Sequence, residues 1–215
     1  MNGKIIPAAE YEANKFDLDA RVQEAKIRSL VEKDDVLGAL RAFSDFCRDY
    51  PTTLSYGALA PSMSQVIKGY VEDQKQSLLG LDARIKERDL GLQRMAPADR
   101  RTTEEAIKEE NAAIEARYKQ EKDAKQNWPT VTPYHKASIE DSIRFGQLEL
   151  TRLATVKTTL GVDGGKAYRE VYSAVKGGAN TATVTAAFAA AKAAMVAPRY
   201  LEPLDAMVKA AGKKP

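Results

Sequence analysis

Residues 71–95 read VEDQKQSLLGLDARIKERDLGLQRM. Val71, Leu78, Ile85 and Leu92 recur every seven positions in this charged stretch, with Leu81 and Met95 on the adjoining row. Seven-residue spacing puts apolar side chains on one seam of a helix, and such a seam is buried against another helix. Ala96-Pro97-Ala98 interrupts the pattern, and a second charged helical stretch follows. The two stretches read as a long antiparallel, coiled-coil-like helical hairpin. That sets the fold class as all-α, a helical bundle carrying the hairpin.

Working outward, the first arm is expected to start at Pro61-Ser62, with Ser62 as N-cap, and to run through Val66, Ile67 and Tyr70 to Met95. Its length would be about 50 Å at 1.5 Å per residue. Gly69, Gly80 and Gly91 lie eleven residues apart, on one stripe opposite the seam. Each interior glycine costs about 1 kcal/mol against alanine. The stripe therefore implies a close partner behind the helix, a break at one glycine, or glycines tolerated in solvent. The second arm runs from Asp99 to Asn127, with acids at its start where the helix dipole favours them. Its seam is weaker: Ile107, Ile114, Tyr118 and then Trp128. Folding back about Pro97 places Leu81 opposite Ile114, Leu78 near Tyr118, Ile67 near Trp128, and Arg88 within reach of Glu110. The expected hairpin has a packed base and a solvated tip.

Upstream, residues 1–9 form a short arm and two helices follow. The first runs from Glu10 or Asp17 to Lys33. The second runs from Asp35 to Tyr50, with Val36, Leu37, Leu40, Phe43, Cys47 and Tyr50 on one face and Pro51 ending it. Asp17–Tyr50 spans 34 residues, and Ala39, Phe43 and Pro51 fall where a tetratricopeptide (TPR) unit places its small residue, aromatic and terminal proline. Asp17–Pro51 thus resembles a single TPR-like hairpin, which implies two antiparallel helices here. The first helix departs from the pattern, lacking its aromatic, Leu-Gly pair and tyrosine. The resemblance covers about a sixth of the chain, leaves an ordinary helix pair as the alternative, and carries no peptide-binding function with it.

Downstream, Trp128–His135 is a connector punctuated by Pro129 and Pro133. Ser138 is expected to start a helix, with Asp141 completing a partial capping box, and Gly161 to end it. A short helix with Tyr168, Val171, Tyr172 and Val175 stops at Gly177-Gly178. Asn180 or Thr181 starts an alanine-rich helix that Pro198 breaks, and a last helix spans Leu201–Ala211. The expected organisation is a helical pair over 1–61, the hairpin over 62–128 with its turn at 96–98, and a C-terminal bundle over 129–215 that packs with the pair as one continuous domain.

The chain has 215 residues, 44% hydrophobic and 29% charged, which is enough apolar content for a core. Its net charge of +3 comes from 33 basic and 30 acidic residues that alternate in sign, as in Asp82–Asp89, so nucleic acid is not an expected partner. No run approaches the roughly 20 apolar residues of a membrane span. With one cysteine, Cys47, no intrachain disulfide can form, and burial as a small hydrophobe is expected of it. The opening shows no signal peptide, which fits the cytoplasm, or the periplasm or exterior if a leader was removed.

Chemistry is sparse. One histidine, His135, and one cysteine cannot supply the usual zinc ligand sets, and no Glu-x-x-His pair suggests a di-iron bundle. Glu104, Glu105, Glu109 and Glu110 read as a solvated face. Leu160–Lys166 mimics a phosphate loop but has Leu160 where glycine belongs and Ala167 where Ser or Thr should follow the lysine. No catalytic residue, cofactor or metal site is expected. Two contact sets remain: Arg94, Arg100 and Arg101 near the hairpin tip, and a candidate pocket of Trp128, Tyr134, His135, Tyr168 and Tyr172. The reading that follows is a non-enzymatic interaction or scaffold protein with a protein partner, monomeric in preference to a homodimer paired through the seam. The alternative is a ligand-binding or enzymatic helical domain with its site near the Trp128–His135 connector.

Overall fold

The computed structural model describes residues 6–155 and 162–212. Among them are nine α-helices and no strand, so the chain is all-α. It divides into two compact units, Met1–Met63 with Val156–Pro215, and Ser64–Thr155.

The first unit holds α1 (Ala8–Glu32), α2 (Val36–Asp49), the start of α3 (Leu54–Leu79), α7 (Gly164–Lys176), α8 (Thr181–Ala193) and α9 (Pro198–Gly212). Side-chain caps set several starts. The Gly38 amide donates to Asp35 at 2.9 Å, Lys166 to Asp163 at 3.0 Å, and Thr183 to Asn180 at 2.9 Å. The expected start of α3 is corrected. The helix begins at Leu54, where the Tyr56 amide donates to the Thr53 hydroxyl at 3.2 Å. Pro61 lies inside it, and Ser62 donates to the Leu59 carbonyl at 2.8 Å instead of capping. Similarly, Pro198 opens α9 three residues ahead of the expected Leu201, in the first-turn position where its missing N–H costs nothing.

Phe16, fully buried, centres this core. Its ring lies 5.5 Å from Tyr50, 6.4 Å from Tyr168 and 5.2 Å from Tyr200. Two glycines let α7 approach α1. A Cβ on Gly165 would fall 2.0 Å from the Asp17 carboxylate, and one on Gly164 would fall 2.4 Å from Thr52 Oγ1 and 3.0 Å from Phe16 Cε1. The Gly164–Gly165 turn is thus a packing device. The expected helix end at Gly161 and the first part of the phosphate-loop mimic, Leu160-Gly161, lie outside the described residues.

The second unit holds the rest of α3, α4 (Leu81–Gln93), α5 (Pro97–Asp123) and α6 (Lys136–Thr155). Its core is the base of the hairpin. Trp128 is fully buried, 5.7 Å from the Tyr70 ring and 4.8 Å from Phe145. Val71 and Leu81 are buried, Leu78, Ile85 and Leu92 half-buried, and every residue from 93 to 102 is exposed. That is the gradient the heptad pattern predicts. The grouping of α6 corrects the expected boundary at 129. Phe145 and Gly146 pack on Trp128, and Ser142 donates to Tyr70 at 3.0 Å, so α6 belongs with the hairpin.

The three glycines resolve differently. Gly80 interrupts the arm between α3 and α4, while its backbone stays helical at φ −83° and ψ −3°. Arg84 Nη2 there takes the Ser77 carbonyl at 2.6 Å and the Pro133 carbonyl at 3.0 Å. A Cβ on Gly80 would meet Arg84 Nη1 at 2.9 Å, whereas one on Gly69 or Gly91 meets nothing within 4 Å. Gly69→Ala and Gly91→Ala are therefore expected to stabilise the unit by about 0.5–1 kcal/mol each, the helix-propensity gain. Gly80→Ala should lose that gain by displacing the guanidinium. Urea unfolding of the three variants checks this, and equal stabilisation by all three would remove the special role of Gly80.

Candidate functional site

Three helices of the first unit converge on a cleft of about 330 Å³. From α1 come Glu12, Lys15 and Asp19. From α7 come Tyr168, Tyr172 and Lys176, spaced i, i+4 and i+8 on one face. From α9 come Arg199, Tyr200, Pro203, Leu204 and Met207.

A chain of hydrogen bonds runs along one end of it. Arg199 Nη2 donates to the Tyr50 hydroxyl at 2.9 Å, and the two hydroxyls of Tyr50 and Tyr200 lie 2.7 Å apart. Tyr200 donates to Asp19 Oδ2 at 2.9 Å, and Tyr11 donates to Asp19 Oδ1 at 2.9 Å. Each phenol has one proton, so these contacts fix its direction: Tyr200 gives its proton to Asp19, and Tyr50 therefore donates to Tyr200. Arg199 also pairs with Asp49 at 2.8 Å and lies 5.5 Å and 5.2 Å from the Tyr50 and Tyr200 ring centroids. The donors Arg48 and Arg199 hold Asp49 below the usual carboxylate range, against the upward pull of burial. Tyr168 donates to the Glu12 carbonyl at 3.0 Å.

Burial first, and the nearby Glu12 charge second, push the Tyr168 phenol up to about 12. Burial and the hydrogen bonds to Tyr50 and Asp19 push Tyr200 further up. In the second unit, burial and the Asp141 carboxylate push Tyr118 up to about 12. A phenol whose pKa is higher folded than unfolded contributes stability that is complete below its ordinary value near 10 and is lost as pH rises toward the folded value. Phenolate absorbance should therefore show Tyr118 and Tyr168 ionising near pH 12, with stability declining between pH 10 and 12. All nine tyrosines ionising together near 10 with the fold intact would contradict it.

The residues of the expected pocket are divided between the two units. Tyr168 and Tyr172 line the cleft of the first unit, whereas Trp128, Tyr134 and His135 belong to the second. There Trp128 is core, and Tyr134 is 43% exposed beneath the Arg88 guanidinium, 5.3 Å from its ring centroid. Arg88, expected to reach Glu110, bonds its neighbour Asp89 instead. His135 caps α6 in place of Ser138. Its Nδ1 accepts the Ser138 amide at 3.3 Å, so a neutral ring holds its proton on Nε2, which faces Glu115 Oε2 at 2.9 Å. Its ring also meets Tyr118, which donates to Asp141, and Arg144 donates to the same carboxylate at 2.7 Å. Both nitrogens of the ring are thus occupied in holding the connector.

At the tip, Arg94, Arg100 and Arg101 are exposed. Arg100 pairs with Glu104 at 2.7 Å and Arg101 with Glu105 at 3.1 Å, each one turn along α5. Cys47 is half-buried. Among the described residues no group of three His, Cys, Asp or Glu is placed to hold a metal ion, and no helix is long and apolar enough to cross a membrane. The cleft residues Asp19, Lys15 and Arg199 escaped the sequence reading because they meet only when α1 packs with α9, near the other end of the chain. No family model matches the chain, and neither the curated proteins nor the solved structures gave a match.

Proposed function

We propose that the chain is a non-enzymatic helical interaction protein whose hairpin is the contact element. The supporting observation is the run of exposed side chains from 93 to 102 at the end of two arms whose burial declines away from their base. Arg100 and Arg101 are held by surface pairs within one helix turn, each worth about 0.3–0.5 kcal/mol. Their charge is available to a partner at little cost. We read Arg94, Arg100 and Arg101 as the contact, and a protein with complementary carboxylates as its partner. The seam residues Val71, Leu78 and Leu81 are taken up within the unit, which favours a monomer over a seam-paired dimer. The TPR-like spacing at Ala39 and Phe43 fits a packing role, since both are fully buried.

The test is site-specific photo-cross-linking in cells, with the probe at Arg94 or Arg100 and, for control, at exposed Gly69. A discrete protein adduct is expected from the tip positions alone. Reversing all three arginines to glutamate should abolish the adduct formed from a neighbouring tip position and leave the unfolding midpoint within the error of measurement. Equal labelling from Gly69, or an adduct that survives charge reversal, would overturn the proposal.

A further inference from the structure

The cleft among α1, α7 and α9 carries an inference independent of the hairpin. We propose that it binds a small amphipathic carboxylate, with the head group on Lys15 and Lys176 and the apolar body along Tyr172, Leu204 and Met207. Its volume of about 330 Å³ lies at the lower end of the range for small-molecule sites.

The chemistry follows from which groups are already committed. Asp19 receives two phenol protons at 2.9 Å each. Arg199 is spent on Asp49 and Tyr50, and the Tyr168 hydroxyl on a backbone carbonyl. The two lysines are not so used. Lys176 lies 5.9 Å from the Tyr172 ring centroid, with no carboxylate in salt-bridge range among the described residues. Lys15 lies 5.8 Å from the Tyr11 centroid and has only a long 3.7 Å pair with Glu12. Each ammonium offers three donors, so the spare capacity of the cleft is cationic. A cationic ligand would meet an Asp19 carboxylate that two phenols already occupy and a Glu12 carboxylate paired with Lys15, in a cleft where Lys15, Lys176 and Arg199 outnumber these two acids.

The apolar half points the same way. Met207 is 44% exposed and Pro203 is exposed, one turn apart on α9 and both facing the cleft beside buried Leu204. An alkyl or aryl body would cover these side chains, and burial of apolar area would add to the charge attraction. A purely inorganic anion would leave that wall in water, and a neutral apolar molecule would leave both ammoniums unpaired.

Decanoate below its micellar concentration is the probe, titrated into the whole chain and followed by calorimetry and by the Met207 methyl resonance. One saturable site is expected, with the Met207 methyl shifting in step. Decylamine, of equal tail and opposite charge, should bind at least tenfold more weakly. The double variant Lys15→Met, Lys176→Met retains the aliphatic stems, at a half-buried position and an exposed one, and its circular dichroism should match the parent. It should bind decanoate at least tenfold more weakly. No saturable decanoate site, decylamine binding as tightly, or a double variant that binds decanoate like the parent would each overturn the assignment.

Discussion

Replacing Trp128 by alanine is expected to destabilise the hairpin unit by about 3–5 kcal/mol, the range for truncating a large buried aromatic. Trp128 is fully buried and is the only tryptophan of the chain. Its ring meets Tyr70 and Phe145 edge-on, and Gly146 leaves room for it. A Cβ on Gly146 would lie 2.3 Å from Val71 Cγ2 and 3.5 Å from the indole. The surroundings belong to three separate segments, α3, the connector and α6, so the void cannot be closed by one side chain turning. Trp128 also holds a left-handed backbone at φ +59°, uncommon for a bulky residue. Alanine shares most of that backbone strain, so its relief does not offset the lost ring. Because the variant has no tryptophan, unfolding should be followed by far-ultraviolet circular dichroism in urea. A loss below about 1 kcal/mol would mean that the hairpin base is held elsewhere. Trp128→Phe, which keeps an aromatic in the site, should cost distinctly less.

The seam that Trp128 closes was legible because it is local. Val71, Leu78, Ile85 and Leu92 report one helix face whatever lies opposite, and Pro97 at the first position of α5 marks the turn. The decline in burial toward residues 93–102 follows from the thinning of apolar side chains in the same stretch. Boundaries set by a single cap were less legible. Pro61 looked like a helix start because proline usually is one, yet Thr53 had already capped α3 and the helix continues through the proline. His135 hid as a cap because histidine rarely plays that part, and Ser138 nearby is the commoner choice. The cleft was least legible. Tyr168 and Tyr172 stood out as aromatics, but Asp19 and Arg199 look like ordinary surface charges until α1, α2 and α9 bring them to the Tyr50 and Tyr200 hydroxyls. Grouping Tyr168 with Trp128 joined residues that the chain assigns to two units, since aromatic content alone does not say which core a ring enters.

Phe16→Ala is expected to cost the first unit about 3–5 kcal/mol as well. The ring touches Tyr50 after α2, Tyr168 of α7 and Tyr200 of α9, so its loss loosens four elements at one point. The hydroxyl chain built on those tyrosines would lose its packing support, whereas Tyr200→Phe removes only the bonds to Tyr50 and Asp19 and should cost about 1–3 kcal/mol. Gly164 supplies a sharper test of the cause. A methyl added there would crowd Phe16 Cε1 at 3.0 Å and Thr52 Oγ1 at 2.4 Å, and the Thr52 hydroxyl is held to the Ala194 carbonyl at 2.6 Å. Gly164→Ala alone should therefore cost about 1–3 kcal/mol through overpacking. In the double variant the methyl enters space that the missing ring has vacated. The two costs should fall short of additivity by at least about 0.5 kcal/mol, measurable as a double-mutant cycle in urea. Strict additivity would show that the Gly164 clash is with Thr52 alone, and that Phe16 does not limit the approach of α7 at Gly164.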